Sequence, residues 1–339
     1  MTLKVGIVGL GRMGKTHAEH LSKYINGVEL VAACSLFQSE LDYAKEHFGV
    51  KLFYQSFEEM IDNANLDAVV VAAGADVRPE MVEYSIKKGV HTFAEKPLVL
   101  SVEQIEKVKN VIEDNQEKVK FQVGFMRRFD EDYLYAKKMI DDGVIGDITY
   151  IRAYGIDPTS GLDTFVKFAK NSNSGGIYHD MSIHDIDAIR FLTDREFSKV
   201  WAIGANFAKP ELDNVGELET GIVQGVLDNN IMVHLVAGRN APHGYQVETE
   251  IMGTKGWLRI ANVPEKNLVT IYDENGVRRE CSANFPERFK EAFITELKEF
   301  FECIKSYKQT KVSAEDALIA TKVALMCKKS LEINSIVEL

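Results

Sequence analysis

An aspartate and a histidine four residues apart, Asp180 and His184, are the pair in this sequence best suited to proton transfer. They lie in a stretch dense in ionisable groups, GGIYHDMSIHDID at 175–187. Residues four apart share a helix face, so both side chains point into one small volume. A carboxylate beside an imidazole raises its basicity and fixes its orientation, as a general base for an alcohol proton requires. The alternative is structural, with the aspartate capping a helix and the histidine satisfied in the core.

A glycine-rich loop is the second motif that could do chemistry. It reads Gly9-Leu10-Gly11-Arg12-Met13-Gly14 and directly follows the apolar, β-branched run LKVGIV. A strand that ends in G-x-G-x-x-G and opens into a helix holds a pyrophosphate, because the glycines permit close backbone approach and the helix presents free N–H groups. The candidate dinucleotide contacts are therefore Gly9, Gly11, Arg12, Met13 and Gly14. The structural alternative is a tight strand-to-helix turn with no ligand.

The elements that position this loop alternate between short apolar runs and helical patterns up to about residue 123, which is typical of βαβ units. The predicted strands are Lys4–Val8, Glu29–Cys34, Asp67–Ala73, His91–Ala94 and Lys120–Val123, with helices near Lys15–Tyr24, Phe57–Asp62, Pro79–Lys87 and Val102–Ile112. Right-handed crossovers then give a doubly wound parallel sheet with its ligand crevice at the carboxyl ends of the strands. These ends add four candidate contacts to the dinucleotide: Ser35, Ala73, Glu95 and Lys96.

The second half of the chain has a different rhythm. Helical patterns at Asp130–Asp141 and Ser182–Leu192 are followed by strand patterns at Lys199–Asn206, Glu219–Leu227, Ile231–Gly238, Gln246–Met252, Trp257–Ile260 and Leu268–Tyr272. Consecutive strands without helices predict a large, mostly antiparallel open sheet in an α+β domain. The sequence thus predicts a dinucleotide-binding domain at 1–123 and a second domain at 124–339, with C-terminal helices that could pack back on the first.

One predicted strand of the open sheet has polar and apolar residues in alternation. Gln246, Glu248 and Glu250 alternate with Val247, Thr249 and Ile251, so one face is expected to be wetter than the other. An open sheet needs a cover, and a partner subunit is the expected one. The sequence therefore predicts a homotetramer or dimer that associates through this sheet.

Bulk composition excludes several classes of function. The 339 residues carry a formal net charge of −11, which argues against nucleic-acid or anionic-membrane partners. The four cysteines show no metal or disulfide spacing, and no apolar stretch approaches the roughly 20 residues that span a bilayer. The first strand begins too early to leave room for a signal peptide. We therefore expect a cytoplasmic protein with no metal site.

Lys96 connects the two motifs. It ends a predicted strand on the crevice side and is followed by Pro97, which restrains its backbone. A lysine near a positively charged nicotinamide would be a better proton acceptor or relay than a surface lysine. The alternative is an ordinary surface lysine at a strand end.

Together these segments resemble the family of glucose–fructose oxidoreductase, inositol dehydrogenase and rhizopine-catabolism proteins (Gfo/Idh/MocA). The resemblance rests on GLGRMG at 9–14, EKP at 95–97 and GGIYHDMSIHDID at 175–187, and it runs over essentially the whole chain. The segments GFMRRFD at 124–130 and HGYQVETEIMG at 243–253 look most like the inositol 2-dehydrogenase branch. The resemblance implies a Rossmann domain followed by a substrate-binding and oligomerisation domain.

The resemblance also implies roles for individual residues. The family's catalytic triad falls on Lys96, Asp180 and His184. His184 would take a hydroxyl proton of a cyclic polyol while the carbon's hydride moves to the nicotinamide, Asp180 would orient the imidazole, and Lys96 would hold the reacting oxygen. The candidates for binding the other hydroxyls are Arg127, Asp157 and Tyr245, each of which has a structural alternative.

The chain departs from the family pattern at the cofactor. An acid about 20 residues after the glycine motif usually binds the ribose of NAD, but Ser35 stands at that position. Serine does not repel a 2′-phosphate, and Arg12 could approach one, so NAD is expected with NADP left open. Arg78 stands where the family often has a histidine. An inositol 2-dehydrogenase is expected, with a dehydrogenase or reductase of another sugar or aldose and a non-catalytic cofactor-bound regulator as alternatives.

Overall fold

The computed structural model describes residues 2–170, 174–261 and 265–339. Its strands are β1 (Leu3–Val8), β2 (Val28–Cys34), β3 (Leu52–Tyr54), β4 (Ala68–Val71), β5 (His91–Glu95), β6 (Phe121–Gly124), β7 (Ile148–Pro158), β8 (Phe197–Ala205), β9 (Thr220–Leu227), β10 (Met232–Ala241), β11 (Gln246–Gly253), β12 (Trp257–Ile260), β13 (Glu265–Asp273), β14 (Gly276–Cys281) and β15 (Val337–Glu338). Its helices are α1 (Arg12–Lys23), α2 (Gln38–Phe48), α3 (Phe57–Asn63), α4 (Arg78–Lys87), α5 (Val102–Asn115), α6 (Glu131–Asp141), α7 (Leu162–Ala169), α8 (Ile183–Thr193), α9 (Phe285–Arg288), α10 (Lys290–Ser306) and α11 (Ala314–Ile333).

The chain divides into two compact units. Unit 1 comprises the chain up to Met126 together with Glu291–Ile319, and unit 2 comprises Arg127–Lys290 and Ala320–Leu339. Most of α10 and the start of α11 therefore belong to unit 1, although they lie within the range 124–339 that the sequence assigns to a second domain.

Unit 1 contains a parallel sheet with the strand order β3-β2-β1-β4-β5-β6, so the predicted doubly wound fold is confirmed. The order reverses at β1, whose carboxyl end carries the glycine loop. The sequence missed β3 and α2, which are both weakly patterned. Only Leu41 and Ala44 of α2 are buried, and Leu52 of β3 is exposed, so neither element has a continuous apolar face.

The core of unit 1 joins its sheet to α10. Leu297, Phe300 and Phe301 of that helix are fully buried and cluster with Ile7 and Phe93 of the sheet. The apolar stripe of α10 is therefore a packing surface, as its spacing predicts.

Unit 2 contains a mixed sheet with the strand order β12-β11-β7-β10-β9-β8-β15. Its neighbouring strands are antiparallel except β7 and β10, which run parallel. The prediction of a mostly antiparallel sheet is confirmed, although the sequence missed β7, in which Gly155 and Pro158 interrupt the strand pattern. The parallel pairing is important for the site, because it brings the carboxyl ends of β7 and β10 together.

The face of β11 that carries Glu248 and Glu250 is less exposed to solvent than the sequence predicts. It is polar, as predicted, but both glutamates are buried. Arg152 on the neighbouring strand β7 forms ion pairs with both, and Arg259 on β12 forms another with Glu248. The expectation of a wetter face is therefore wrong at these two positions, since cross-strand arginines cover the carboxylates.

Candidate functional site

The glycine loop of unit 1 forms a tight turn that only glycine can make. Gly9 has a φ of +81°, and a Cβ there would lie 2.6 Å from the backbone nitrogen of Ala73, at the end of the neighbouring strand. A Cβ on Gly14 would lie 1.7 Å from the carbonyl oxygen of Gly9. Gly9 and Gly14 are therefore required by the turn and by its packing on α1.

Gly11 has a different environment from the other two glycines. Among the described residues, no atom beyond its chain neighbours lies within 4 Å of the position that its Cβ would take, so the backbone borders open space. Gly11 also precedes α1 as its N-cap and supplies no side-chain acceptor, so the first helical N–H groups face this space without an intrahelical partner. Open space beside a helix N-terminus at the sheet's switch point fits a dinucleotide pyrophosphate.

Ser35 lies directly after β2 and is buried. Its hydroxyl donates to Oε2 of Glu40 at 2.6 Å and accepts the N–H of Phe37 at 3.1 Å. A carboxylate is thus present beside the serine, although the sequence indicates no acid at the strand end. It comes from the first turn of α2, a helix that the sequence did not predict.

Glu95 and Lys96 lie at the carboxyl end of β5 in unit 1. The buried Glu95 carboxylate accepts the Nε2–H of His17 at 2.6 Å and the backbone N–H of Lys96 at 3.1 Å. Burial by itself would raise the pKa of Glu95, but the hydrogen bond from His17 and the charges of His17 and Arg78 outweigh it and lower that pKa. The ionised carboxylate therefore restrains the backbone at Lys96, which is itself half-buried.

Arg78 restrains the same region from α4. Its buried guanidinium donates from Nη2 to the carbonyl oxygen of Ala73 at 2.6 Å, and from Nη1 to the carbonyl oxygen of Pro97. Arg78 therefore joins the loop after β4 to the residue that follows Lys96. A histidine at this position would have too few donors to make the same bridge.

Asp180 and His184 lie in unit 2 and are distinguished by their exposure. All the residues from Ile177 to Arg190 are buried except these two, which are half-exposed. Asp180 lies in a π-helical turn, Tyr178–Ser182, and His184 lies in the first turn of α8. Local π-helical turns are frequent at functional sites.

Arg239 on β10 links two of the predicted site residues, and the sequence did not single it out. Its Nη2 donates to Oδ2 of Asp180 at 2.9 Å, and its Nη1 lies 4.0 Å from Oδ2 of Asp157. The guanidinium carbon lies 3.4 Å from the ring centroid of Phe165, and the arginine is only 3% exposed. The parallel pairing of β7 with β10 places Asp157 and Arg239 at adjacent strand ends.

Arg127 and Tyr245 are also in unit 2, and both are buried. Nη1 of Arg127 donates to Oδ1 of Asp185, and the attraction of that carboxylate outweighs burial and raises the pKa of Arg127. Burial raises the pKa of Tyr245, and the charges of Arg127 and Asp157 also act on it. The three predicted hydroxyl-binding residues are therefore electrostatic neighbours, with Arg127 anchored by an ion pair that the sequence did not indicate.

Neither a metal-binding cluster nor a membrane-spanning helix is present in the part of the chain that the structure describes. Within those residues, no group of three histidine, cysteine or acidic side chains could hold a metal ion. None of the described helices is both long and apolar enough to cross a membrane.

Comparisons with known proteins show the family of the chain. Residues 3–125 match a model of an oxidoreductase family with an NAD-binding Rossmann fold, and residues 133–259 match the GFO/IDH/MocA C-terminal domain. The chain is similar to myo-inositol 2-dehydrogenase of Thermotoga maritima, with 32% identity over 97% of this chain and 96% of that relative.

Two solved structures are also similar over the full length. Scyllo-inositol dehydrogenase of Lactobacillus casei, with bound NAD(H) and scyllo-inositol, has 50% identity and a TM-score of 0.96 over 100% of this chain and 99% of that one. Myo-inositol 2-dehydrogenase of Lactobacillus plantarum has 42% identity and a TM-score of 0.98, with 100% of both chains covered.

Proposed function

Because the chain belongs to the GFO/IDH/MocA family of NAD-dependent oxidoreductases, we propose that it is an inositol 2-dehydrogenase. It would oxidise a ring secondary alcohol of myo- or scyllo-inositol to the ketone. The observation that supports this proposal most is the half-exposed Asp180/His184 pair beside Arg239 and Asp157, in a chain similar over its whole length to inositol dehydrogenases.

In the proposed mechanism the proton and the hydride of the alcohol are transferred to different groups. Bound NAD would supply a nicotinamide ring that accepts a hydride from the substrate carbon. His184 takes the hydroxyl proton at Nε2, since hydride loss from an alcohol is easy only as the O–H ionises. Asp180 orients and stabilises the resulting imidazolium, and the ammonium of Lys96 holds the reacting oxygen by donating a hydrogen bond to it.

Binding of the other hydroxyls is assigned to polar side chains of unit 2. The carboxylate of Asp157 accepts hydrogen bonds from polyol hydroxyls, and the guanidinium of Arg127 and the phenol of Tyr245 donate them. Arg239 keeps Asp180 and Asp157 at fixed positions through its two Nη groups. A cyclic polyol, with a hydroxyl on every ring carbon, suits such a mixed set of donors and acceptors.

The proposal is tested by incubating the protein with NAD and a panel of inositol isomers and aldoses, with NADH formation followed by absorbance. Turnover with myo- or scyllo-inositol at a higher kcat/KM than with any aldose supports it. A preference for an aldose would instead indicate a sugar dehydrogenase. A protein that binds NADH but oxidises none of the polyols would indicate a non-catalytic regulator.

A homo-oligomer, a tetramer or a dimer, is part of the same proposal. The sheet of unit 2 carries large apolar side chains that remain exposed, including Trp201, Ile203, Met232 and Trp257, of which the last is 64% exposed. Exposed apolar patches of this kind mark protein interfaces. We also propose a cytoplasmic location, because the cysteine spacing fits reduced thiols.

A further inference from the structure

The carboxyl end of β2 and the first turn of α2 form a small polar cluster in unit 1. The hydroxyl of Ser35 donates to Oε2 of Glu40 at 2.6 Å, and the Ser35 hydroxyl oxygen accepts the N–H of Phe37 at 3.1 Å. Ser35 is buried and Glu40 is half-exposed, so the carboxylate rather than the serine reaches solvent. The cluster thus presents a negative charge at the end of the second strand.

This cluster lies next to the glycine loop. Cys34, the last residue of β2, pairs with Val8 of β1, and its carbonyl oxygen accepts the N–H of Gly9 at 3.0 Å. When a pyrophosphate lies at the N-terminus of α1, the adenosine half of the dinucleotide extends over the ends of β1 and β2. Ser35 and Glu40 are therefore the residues that would face the ribose of that half.

A second, independent feature of the same segment points to a ligand. Leu36 is 79% exposed and Phe37 is 65% exposed, although both are apolar and adjacent in the chain. Two such side chains at the mouth of a dinucleotide crevice suit the flat faces of an adenine ring.

We propose that Glu40, positioned by Ser35, is the residue that selects NAD over NADP, an inference that rests on the proposed function. Its carboxylate accepts a hydrogen bond from the ribose 2′-hydroxyl of NAD. The 2′-phosphate of NADP is itself an anion, so the same carboxylate repels it. The function usually served by an acid at the strand end is thereby transferred to the neighbouring helix.

Two cationic side chains near Glu40 would favour NADP if its negative charge were absent. Arg12 belongs to the glycine loop, and Nζ of Lys15 lies 4.3 Å from the ring centroid of Tyr43 on α2. Tyr43 follows Glu40 by three residues and so shares its side of the helix. These cations would attract a 2′-phosphate, and Glu40 opposes that attraction.

The alternative role for Glu40 is structural. A glutamate at the third position of a helix stabilises the N-terminus by interacting with the helix dipole and with backbone N–H groups. A purely structural Glu40 would change the stability of α2 and affect NADH and NADPH equally. The ratio of the two dissociation constants therefore separates the two roles.

The test measures the Kd of NADH and of NADPH by fluorescence titration, without any polyol. Wild-type protein should bind NADH more tightly. Glu40→Gln keeps the size of the side chain and a hydrogen bond to Ser35 but removes the charge, so the NADPH/NADH Kd ratio should fall about tenfold. Glu46→Gln removes the same charge from a strongly exposed position six residues further along α2, and it should leave the ratio unchanged.

A rescue variant tests whether a carboxylate at the strand end can replace that of Glu40. Ser35→Asp combined with Glu40→Gln returns a carboxylate to the strand end and should restore the preference for NADH. An unchanged ratio in Glu40→Gln, or an equal change in Glu46→Gln, overturns the inference. Wild-type protein that binds neither dinucleotide overturns it together with the proposed function, whereas normal NADH binding without polyol oxidation counts against the proposed function alone.

Discussion

Replacement of Arg239 tests whether the two carboxylates of unit 2 are held in place by one guanidinium. In Arg239→Met the side chain keeps an unbranched apolar stem but loses the hydrogen bond to Asp180 and the attraction to Asp157. Arg239 is almost fully buried, whereas the side chain of Asp180 is 31% exposed, so water compensates part of the loss. We expect destabilisation of about 2 kcal/mol, within the range for charge-assisted hydrogen bonds rather than that for fully buried ion pairs.

The catalytic effect should be separate from the loss of stability. On the proposed mechanism Asp180 orients the imidazole of His184, so loss of its anchor should lower kcat about 10- to 100-fold. Asp157 also loses its partner, so KM for inositol should rise. Arg239→Lys keeps the charge but not the planar fork, and it should recover part of kcat.

The matched control is Arg190→Met, which breaks another ion pair of unit 2 between a buried arginine and a partly exposed carboxylate, that of Glu196 at 2.6 Å. It should lower thermal stability by a similar amount while leaving kcat and KM near those of the wild type. The assay is steady-state kinetics with inositol and NAD, together with thermal unfolding of each variant. If Arg239→Met loses stability but keeps kcat and KM within twofold, the positioning role is refuted.

Three other changes test the remaining assignments. His184→Ala and Lys96→Ala should each lower kcat/KM by about 10²- to 10⁴-fold with little change in the unfolding midpoint, and near-full turnover would remove both from the mechanism. Burial and the charge of Glu95 raise the pKa of the fully buried Glu296, whose carboxylate has no hydrogen-bond partner among the described residues. The wild type should therefore lose stability as pH rises through that raised pKa. Glu296→Gln should be more stable than the wild type by about 1–3 kcal/mol at pH 8 and by less at pH 5 in urea unfolding, and an equal difference at both values would contradict this reasoning. Trp257→Glu places a charge on the open sheet and should lower the mass measured by light scattering, whereas an unchanged oligomer would exclude this edge of the sheet from the interface.

Features that depend on neighbours in the chain could be predicted from the sequence. The glycine spacing predicted the turn at Gly9 and the start of α1. Only glycine suits the positive φ of Gly9 and the close contact of Gly14 with the carbonyl oxygen of Gly9. Alternating apolar runs specified the parallel sheet of unit 1, and consecutive strand patterns specified the sheet of unit 2. The stripe on α10 specified a buried helix. Each of these signals is local, with a period of two or of about 3.6 residues.

Tertiary structure alone decided which distant side chains meet. Arg239 contacts Asp180 across 59 positions of the chain, and Arg127 contacts Asp185 across 58. Such pairs depend on how strands are ordered in a sheet, and no local period encodes that order. The contact between Ser35 and Glu40 also required the structure, although the two residues are close in the chain. The sequence pattern of α2 is too weak to predict the helix that places the Glu40 carboxylate beside β2. Local chemistry therefore determined which residues could react or bind, and strand order determined which of them hold one another in position.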